Sequence, residues 1–240
     1  MALFGLFGKK SETDIVKRAA ERVANKRAQA VDRWEAIHEL SRIGHADAVR
    51  GLLKRFTFYV DPSITDQEEK DAAFEGVVAA GEAALEPVVE FMRRAESISW
   101  PLKILTRLVE PDVVVEKLLE LLSSMDTEYE RDPQCKIQVL SSLEERPDPR
   151  IAVGVVRFLE DSNETVRFHA AGALFAQADA AEYCDALIEA FCAEESVRIR
   201  MRILDGFIAA GWDVGTRSED VSARLPSGYK LDRKGTPSKS

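Results

Sequence analysis

Helix breakers divide this chain at intervals of about 30 to 40 residues, and this spacing constrains its fold more than any other feature. Each break follows a stripe of apolar residues, and each except the last precedes another stripe. The breaks lie at Gly44, Gly81, Glu110-Pro111, Pro147-Asp148-Pro149, Ala178-Asp179 and Gly211. Glycine commonly ends helices, and proline disfavours helix at the residue before it. A repeat of this length with two helices in each period is typical of a helical solenoid.

Apolar residues between the breaks recur at helical spacing, and strand signals are scarce. Val197, Met201, Leu204 and Ile208, for example, share one face of a helix, with charged residues on a neighbouring face. The spacing predicts helical hairpins over about 32–56, 66–95, 98–125, 132–159 and 164–193, and a further helix over about 196–210. We therefore expect an all-α chain, a right-handed α-solenoid of about five hairpins over 32–213 with helical caps.

One segment carries a family resemblance. Residues 161–174 read Asp-Ser-Asn-Glu-Thr-Val-Arg-Phe-His-Ala-Ala-Gly-Ala-Leu, with an Asp followed by Val-Arg, Ala-Ala and Ala-Leu. This run resembles the HEAT-repeat signature in its short bacterial form, as found in HEAT-repeat proteins of the bilin-lyase type. Residues 195–204 repeat it more loosely, and residues 32–40 do so without the Val-Arg pair. The other units resemble the family only in the length and spacing of their helices.

The resemblance implies two sets of functional or structural residues. In HEAT families the arginine of the Val-Arg pair binds acidic groups of adjacent repeats, which implies a ladder of Arg167 and Arg198 with Asp161 and Glu195. In such solenoids the second helix of each hairpin lines the concave face, where a partner binds. The resemblance assigns to that face Arg50, Lys54, Glu90, Arg93, Glu116, Glu120, Arg157 and Glu189.

Charge is distributed unevenly along the chain. The formal net charge is −9, yet residues 1–30 carry seven Lys/Arg against three Asp/Glu, and residues 214–240 carry six against three. The segment 31–213 therefore holds a net charge of −16. Because phosphate contacts require Lys and Arg on the binding face, an acidic body makes a nucleic-acid partner an unfavoured prediction.

The N-terminal residues 1–10 form an apolar and basic segment. Four large apolar side chains precede two lysines; the candidate docking residues are Leu3, Phe4, Leu6, Phe7, Lys9 and Lys10. Such a segment fits a partner's groove or makes peripheral contact with a membrane. The alternative is that it folds back on the first repeat or is disordered, and the sequence does not decide between these.

Both ends of the repeat region carry different patterns. Ser11-Glu12-Thr13-Asp14 is a variant capping box, so we expect residues 11–31 to hold a helix that caps the first repeat. Residues 214–240 lose helical periodicity. Within this tail Tyr229-Lys230-Leu231 alternates and is expected to lie extended against the last helix, and 235–240 is expected to be disordered.

Nothing in the sequence converges on catalysis. The histidines and cysteines lack the spacing of a metal site, and Cys184 with His169 has no neighbour that would activate a thiolate. Adjacent residues on a helix point about 100° apart, so a pair of neighbouring carboxylates does not converge on one site. We therefore interpret the acidic pairs as solvated helix surface; they are Glu68-Glu69, Glu144-Glu145 and Glu194-Glu195. We therefore predict no catalytic residues, no metal and no cofactor.

The function expected from these features is a non-enzymatic, cytoplasmic scaffold or adaptor that binds a protein partner, with a peripheral position at the inner face of a membrane as an extension. One alternative is an accessory factor or lyase acting on a modified protein, which rests on the HEAT resemblance alone. A second alternative is a nucleic-acid-binding HEAT-like protein, whose affinity would fall steeply with salt. The partner's identity and the oligomeric state stay open.

Overall fold

The computed structural model describes residues 11–240, which are predominantly helical, and the predicted all-α class is confirmed. The α-helices are α1 Glu12–Val23, α2 Ala30–Ile43, α3 Ala46–Leu53, α4 Ser63–Ala79, α5 Glu82–Met92, α6 Ser99–Leu108, α7 Pro111–Ser123, α8 Gln134–Glu144, α9 Arg150–Val155, α10 Glu164–Phe175, α11 Cys184–Ala193, α12 Val197–Ala210 and α13 Ser218–Ser222. Short 3₁₀ turns cover Lys54–Thr57, Val156–Glu160, Ala180–Tyr183 and Gly215–Arg217, and two strands, β1 Tyr229–Leu231 and β2 Pro237–Lys239, form a hairpin.

The chain forms two compact units, one ending at Glu110 and the other running from Pro111 to Ser240. Within them the helices end where the breakers predicted. Gly44 and Gly211 adopt φ values of 68° and 70° at the ends of α2 and α12, a backbone conformation that side chains with a Cβ rarely adopt. Pro111 is the first residue of α7, where its missing N–H leaves no helical bond unmade.

In the first unit, α1 packs on α2 and α3, α2 packs on α4, α3 on α5, and α5 on α6. Fully buried apolar side chains fill the space between them, among them Ile37, Leu40, Leu52, Val77, Val88 and Ile104.

The hydroxyl of Ser11 accepts a hydrogen bond from the backbone N–H of Asp14 at 3.2 Å, as a capping box requires. The helix ends at Val23, however, and is shorter than the predicted 11–31 segment, because a turn over 24–29 separates it from α2.

A buried ionic network lies inside the first unit. Arg33, Arg55, Asp66, Glu69 and Lys70 each expose 6% of their surface or less. The Glu69 carboxylate accepts from Nε and Nη2 of Arg33 and from Nε of Arg55, at 2.7 to 3.2 Å. Asp66 accepts from Arg55 and Lys70 at 2.7 Å each. Burial of charge is costly unless the charge is paired in this way. The network therefore fixes α2, α4 and the turn that follows α3 against one another.

The network corrects the expectation that Glu68-Glu69 is a solvated pair. Glu68 is exposed, but Glu69 points inward and is 1% exposed. Burial by itself raises the pKa of Asp66, yet hydrogen bonds from Lys70 and Arg55 outweigh it and hold that pKa below its ordinary value. The Asp66 carboxylate therefore acts as an ionised acceptor in the interior.

In the second unit, α10 is central. It packs against α8 on one side, against α12 on the other, and against the 3₁₀ turn at Val156–Glu160, while α7 packs on α8 and α9. Small residues in α10, including Ala170, Ala171 and Ala173, are fully buried and allow this close approach. The helices on either side of α10 thus lie close enough to share a surface groove.

The C-terminal residues form a small subdomain on α12. Strands β1 and β2 pair antiparallel, with Lys230 opposite Ser238, and Asp232 accepts hydrogen bonds from the backbone of the connecting turn. The expected extended segment at 229–231 is β1. The structure places 237–239 in the paired strand β2 rather than in disordered chain, because these residues gain backbone partners in β1 and contacts with α12.

Candidate functional site

A groove of about 600 Å³ lies between α8, α10 and α12 in the second unit. We call it the α10–α12 groove. Helix α8 contributes Glu144, and the remaining lining residues are Phe168, Gly172, Phe175, Ala176, Arg198, Met201, Arg202, Asp205 and Gly206. Its walls are mostly apolar with a few charged groups, which is the usual make-up of a ligand-binding surface.

Two glycines make the groove possible. A Cβ at Gly172 would lie 1.8 Å from Nη2 of Arg202, and a Cβ at Gly206 would lie 2.4 Å from the ring of Phe175. Both distances are shorter than any van der Waals contact. The absence of side chains at these positions lets the Arg202 guanidinium lie against α10 and the Phe175 ring lie against α12.

Two guanidinium groups lie on the ring of Phe168. The Cζ atom of Arg198 is 3.8 Å from the ring centroid and that of Arg202 is 4.0 Å from it. Stacking of this kind is favourable and uses the flat face of the guanidinium. Arg202 is mostly covered, whereas the side chain of Arg198 is 52% exposed and has only a long ion pair, 3.9 Å, to Glu164.

Glu144 anchors the floor of the groove. It accepts a hydrogen bond from Nη2 of Arg202, and its Oε2 lies 3.1 Å from Nδ1 of His169. Burial alone raises the pKa of Glu144, but the hydrogen bond with His169 and the charge of Arg202 lower it below its ordinary value. The ionised carboxylate fixes Arg202 in place. His169 therefore has an acidic partner rather than the cysteine that a nucleophilic pair would need.

Apolar side chains are exposed beside the charged groups. The relative exposures of Val197 and Met201 are 55% and 38%. The buried face of α12 is instead formed by Ile199, Ile203, Leu204 and Phe207, so the predicted stripe through Val197, Met201, Leu204 and Ile208 mixes an exposed face with the core. Exposed apolar side chains next to a groove indicate an interaction surface more strongly than scattered ones do.

Asp205, at one end of the groove, is neutralised by the C-terminal hairpin. The Tyr229 hydroxyl donates to its Oδ1 at 2.7 Å, and Nζ of Lys239 lies 2.9 Å from the same atom. Burial raises the pKa of Asp205, but the bonds from Lys239 and Tyr229 outweigh it and the pKa is lowered. The carboxylate is therefore ionised and paired.

A second cleft, of about 680 Å³, lies between the Val156–Glu160 turn and α11. It brings together Arg157 and Glu189 from the predicted concave face and Asp161, Arg167 and Glu195 from the predicted ladder. Its charged groups already have partners within the chain in several cases. Arg157, for example, donates to the carbonyls of Leu122 and Met125 at 2.9 and 2.7 Å.

The predicted ladder is present in a different register. Arg167 binds Glu194, not Glu195, through two hydrogen bonds of 2.7 and 2.9 Å, and Asp161 binds Lys136 at 2.9 Å. The reason is that Glu194 turns inward and also accepts from the backbone N–H groups of 195 and 196, whereas Glu195 is exposed. The carboxylate of Glu194 therefore binds both Arg167 and the backbone N–H groups that immediately precede α12.

The second arginine of the ladder is Arg200 rather than Arg198. Arg167 donates to the carbonyl of Asp161, six residues earlier, and Arg200 donates to the carbonyl of Glu194, also six residues earlier. Ile199, which is 2% exposed, then corresponds to the buried Val166. Arg198 lies two residues out of this register and faces the groove instead.

The other residues predicted for a concave face are dispersed over the surface. In the first unit Arg50 lies 3.2 Å from Glu90 and 3.0 Å from Asp47, and Lys54 and Arg93 are exposed. In the second unit Glu116 and Glu120 share Lys117 at 2.8 Å each. Arg50, Lys54 and Arg93 thus belong to the first unit, and Glu116 and Glu120 belong to the second.

Chemistry at the thiols is disfavoured. Burial, reinforced by Glu130 and Asp132, raises the pKa of Cys135 to about 11, and burial also raises the pKa of Cys184. A high pKa suppresses the nucleophilic thiolate. Among residues 11–240 no three His, Cys, Asp or Glu side chains are grouped to hold a metal ion.

No helix in the described part of the chain has the length and apolar content needed to cross a bilayer. The predicted docking residues Leu3, Phe4, Leu6, Phe7, Lys9 and Lys10 lie outside the described residues. The sequence matches no protein-family model, no curated protein and no solved structure at a significant level. The HEAT resemblance therefore stays a prediction from residues 161–174.

Proposed function

We propose that this protein is a non-enzymatic binding module that holds a protein partner in the α10–α12 groove. The single observation that carries the proposal is the exposed Val197–Met201 edge beside an arginine stacked on Phe168. Apolar contact area next to an oriented guanidinium is the combination that dominates binding energy at protein interfaces.

A HEAT-like solenoid is the architecture we propose for this module. Supporting it within the second unit, the ladder cations Lys136, Arg167 and Arg200 follow one another at intervals of 31 and 33 residues, each near the start of a helix. Repeats of this length cannot bury their apolar faces alone and are stabilised by stacking. Such a scaffold would hold the groove rigid while a partner binds.

Site-specific photo-crosslinking tests the binding function directly. A photoreactive phenylalanine analogue replaces Met201 in the groove or, as a matched control, Val153 on α9, which is 70% exposed in the same unit. Irradiation in cells of the source organism is expected to join a discrete protein to position 201 and not to position 153.

Two results would contradict the proposal. One is the same set of adducts from both positions, which would indicate random collisions. The other is the absence of a protein adduct at position 201, which would remove the groove as a protein-binding surface.

A further inference from the structure

The charged groups around the α10–α12 groove are unequally paired. Arg202 and His169 share the carboxylate of Glu144, and Lys239 with Tyr229 neutralises Asp205. These groups form two closed sets. What remains is Arg198, the groove cation with the weakest pairing.

Glu164, the carboxylate that pairs with Arg198 within residues 11–240, is already engaged. Oε1 of Glu164 accepts a hydrogen bond from the hydroxyl of Ser196 at 2.8 Å, and this same atom lies 3.9 Å from Nη1 of Arg198. Both ion-pair partners are about half exposed, with side-chain exposures of 52% and 49%. An exposed pair at that distance is weak, so Arg198 is available to an external anion.

Stacking prepares Arg198 for such an anion. The face of the guanidinium lies 3.8 Å from the Phe168 centroid, which leaves its N–H edges to form hydrogen bonds. Two parallel N–H groups on one edge match the two oxygens of a carboxylate. Because the contact with the ring already restricts the side chain, little further rotamer freedom is lost on binding.

The surroundings favour a single carboxylate over a polyanion. A chain of phosphates requires several cations on the binding face, whereas Arg202 and Lys239 are already paired with Glu144 and Asp205. One carboxylate requires only the one available arginine. The neighbouring Met201 is flexible and polarizable, and with Phe175 it offers an apolar surface that adapts to a ligand side chain.

We infer that the groove binds an acidic–apolar peptide segment, in which an Asp or Glu side chain pairs with Arg198 and a nearby aliphatic or aromatic side chain packs on Met201 and Phe175. This inference rests on the proposed protein-binding function and adds the chemistry of the partner. The occupant is a segment of another protein, since the groove supplies one site for charge and one for apolar contact within a few residues' reach.

A displayed library of random twelve-residue peptides, selected on the immobilised full-length chain, provides the probe. Peptides that bind equally well to a Met201→Gln variant, which loses the apolar contact without adding a charge, are discarded. The enriched sequences are expected to place Asp or Glu within about three residues of Leu, Ile, Phe or Met, a separation that one extended or helical turn spans.

Fluorescence anisotropy with the best enriched peptide then measures the role of Arg198. We expect Arg198→Ala to raise the Kd about 10- to 100-fold, as for a charge-assisted hydrogen bond. Arg94→Ala, which removes an exposed arginine of the first unit, is the control and should leave the Kd unchanged. Replacing the acidic residue of the peptide by its amide should weaken binding to the parent chain. The same replacement should not weaken binding to the Arg198→Ala variant any further.

The outcomes distinguish a failure of this inference from a failure of the proposed protein-binding function. Groove-dependent peptides without an acidic residue would overturn the inference while leaving a protein-binding groove. An unchanged Kd for Arg198→Ala would also overturn it. Failure to enrich any peptide that depends on Met201 would overturn it too, whereas the proposed function would still be decided by the adducts at position 201. Arg198 is an exposed side chain, so its variants are expected to fold. The charge-reversed variant Arg198→Glu should bind a peptide in which Lys replaces the acidic residue.

Discussion

Replacing Glu69 by Gln would leave two buried guanidinium groups without their shared carboxylate. The Glu69 side chain is 1% exposed and accepts hydrogen bonds from Arg33 and Arg55, whose side chains are 4% and 0% exposed. Water cannot replace the missing acceptor at either site. The amide of Gln keeps the shape of the side chain but carries no charge, and its NH2 group replaces an oxygen that accepts from an arginine.

The expected loss follows from that burial. Removing one partner of a buried ion pair costs about 3 to 5 kcal/mol, because the remaining charge stays desolvated. Domains are stable by roughly 5 to 15 kcal/mol in total. With a urea dependence of about 2 kcal/mol per molar, the unfolding midpoint of the first unit should fall by about 2 M.

Tryptophan positions allow the first unit to be observed by itself. Trp34 and Trp100 belong to it, and Trp212 belongs to the second unit. In a Trp212→Phe background, fluorescence during urea unfolding therefore reports the first unit. The control is Glu90→Gln, which alters an exposed pair with Arg50 and should move the midpoint by less than about 0.5 M.

A Glu69→Gln midpoint within about 0.5 M of the parent would refute the reasoning. It would mean that the two arginines are not desolvated or that other groups replace the carboxylate. Equal shifts for the Glu69 and Glu90 variants would lead to the same conclusion, since burial would then have no influence on the cost.

Three further predictions concern the second unit. Arg200→Ala should lower the free energy of unfolding by about 1 to 3 kcal/mol, since Arg200 binds the Glu194 carbonyl, whereas Arg198→Ala should change it little. A larger loss for Arg198→Ala than for Arg200→Ala in urea titrations would contradict the ladder register. Cys135 should react with iodoacetamide at pH 8 about 100-fold more slowly than a free thiol, because its pKa of about 11 lies about two pH units higher than that of the free thiol. Equal rates of modification, measured by mass spectrometry, would show that the Cys135 thiol is not buried. Burial raises the pKa of Glu194, but the Arg167 side chain and the backbone N–H groups of Ser196 and Glu195 together lower it more. Its contribution to stability is therefore present above its ordinary pKa and is lost as the pH falls below about 4.5. Glu194→Gln should flatten the decline in unfolding free energy between about pH 5 and pH 3.

Local sequence signals were sufficient for the helices. Gly44, Gly81 and Gly211 stop or separate helices through backbone freedom that no other residue has, and Pro111 starts one through its fixed φ. These effects act within a few residues of each position. The helix boundaries at these positions could therefore be predicted from one sequence, whereas the end of α1 at Val23 could not.

Side-chain direction could not be predicted in the same way. Glu69 and Glu194 belong to acidic pairs that look solvated in sequence, and both turn inward because cations from distant helices meet them. The apolar residues of α12 occupy two faces, so periodicity alone did not separate the core residue Ile199 from the groove residue Met201. Contacts between residues 14 to 36 positions apart decide the orientations of the two carboxylates, and they have no local signal.

The groove itself was missed for a related reason. Gly172 lies inside a run of small packing residues, and its role emerges only from the approach of Arg202, thirty residues later. One usable signal was available in the sequence. Val197, Met201 and Arg198 add an apolar and cationic edge to a helix whose core face is already complete.

The preference of the groove for ligand charge depends on a part of the chain that does not line it. Lys239 and Tyr229 in the C-terminal hairpin neutralise Asp205 at the end of the groove. Proteolytic removal of the hairpin would leave an unpaired carboxylate in the groove that also contains Arg198, and would weaken the attraction of that surface for an acidic ligand. Cleavage after the last long helix would thus change which partners are accepted while leaving Phe168, Met201 and Arg198 themselves intact.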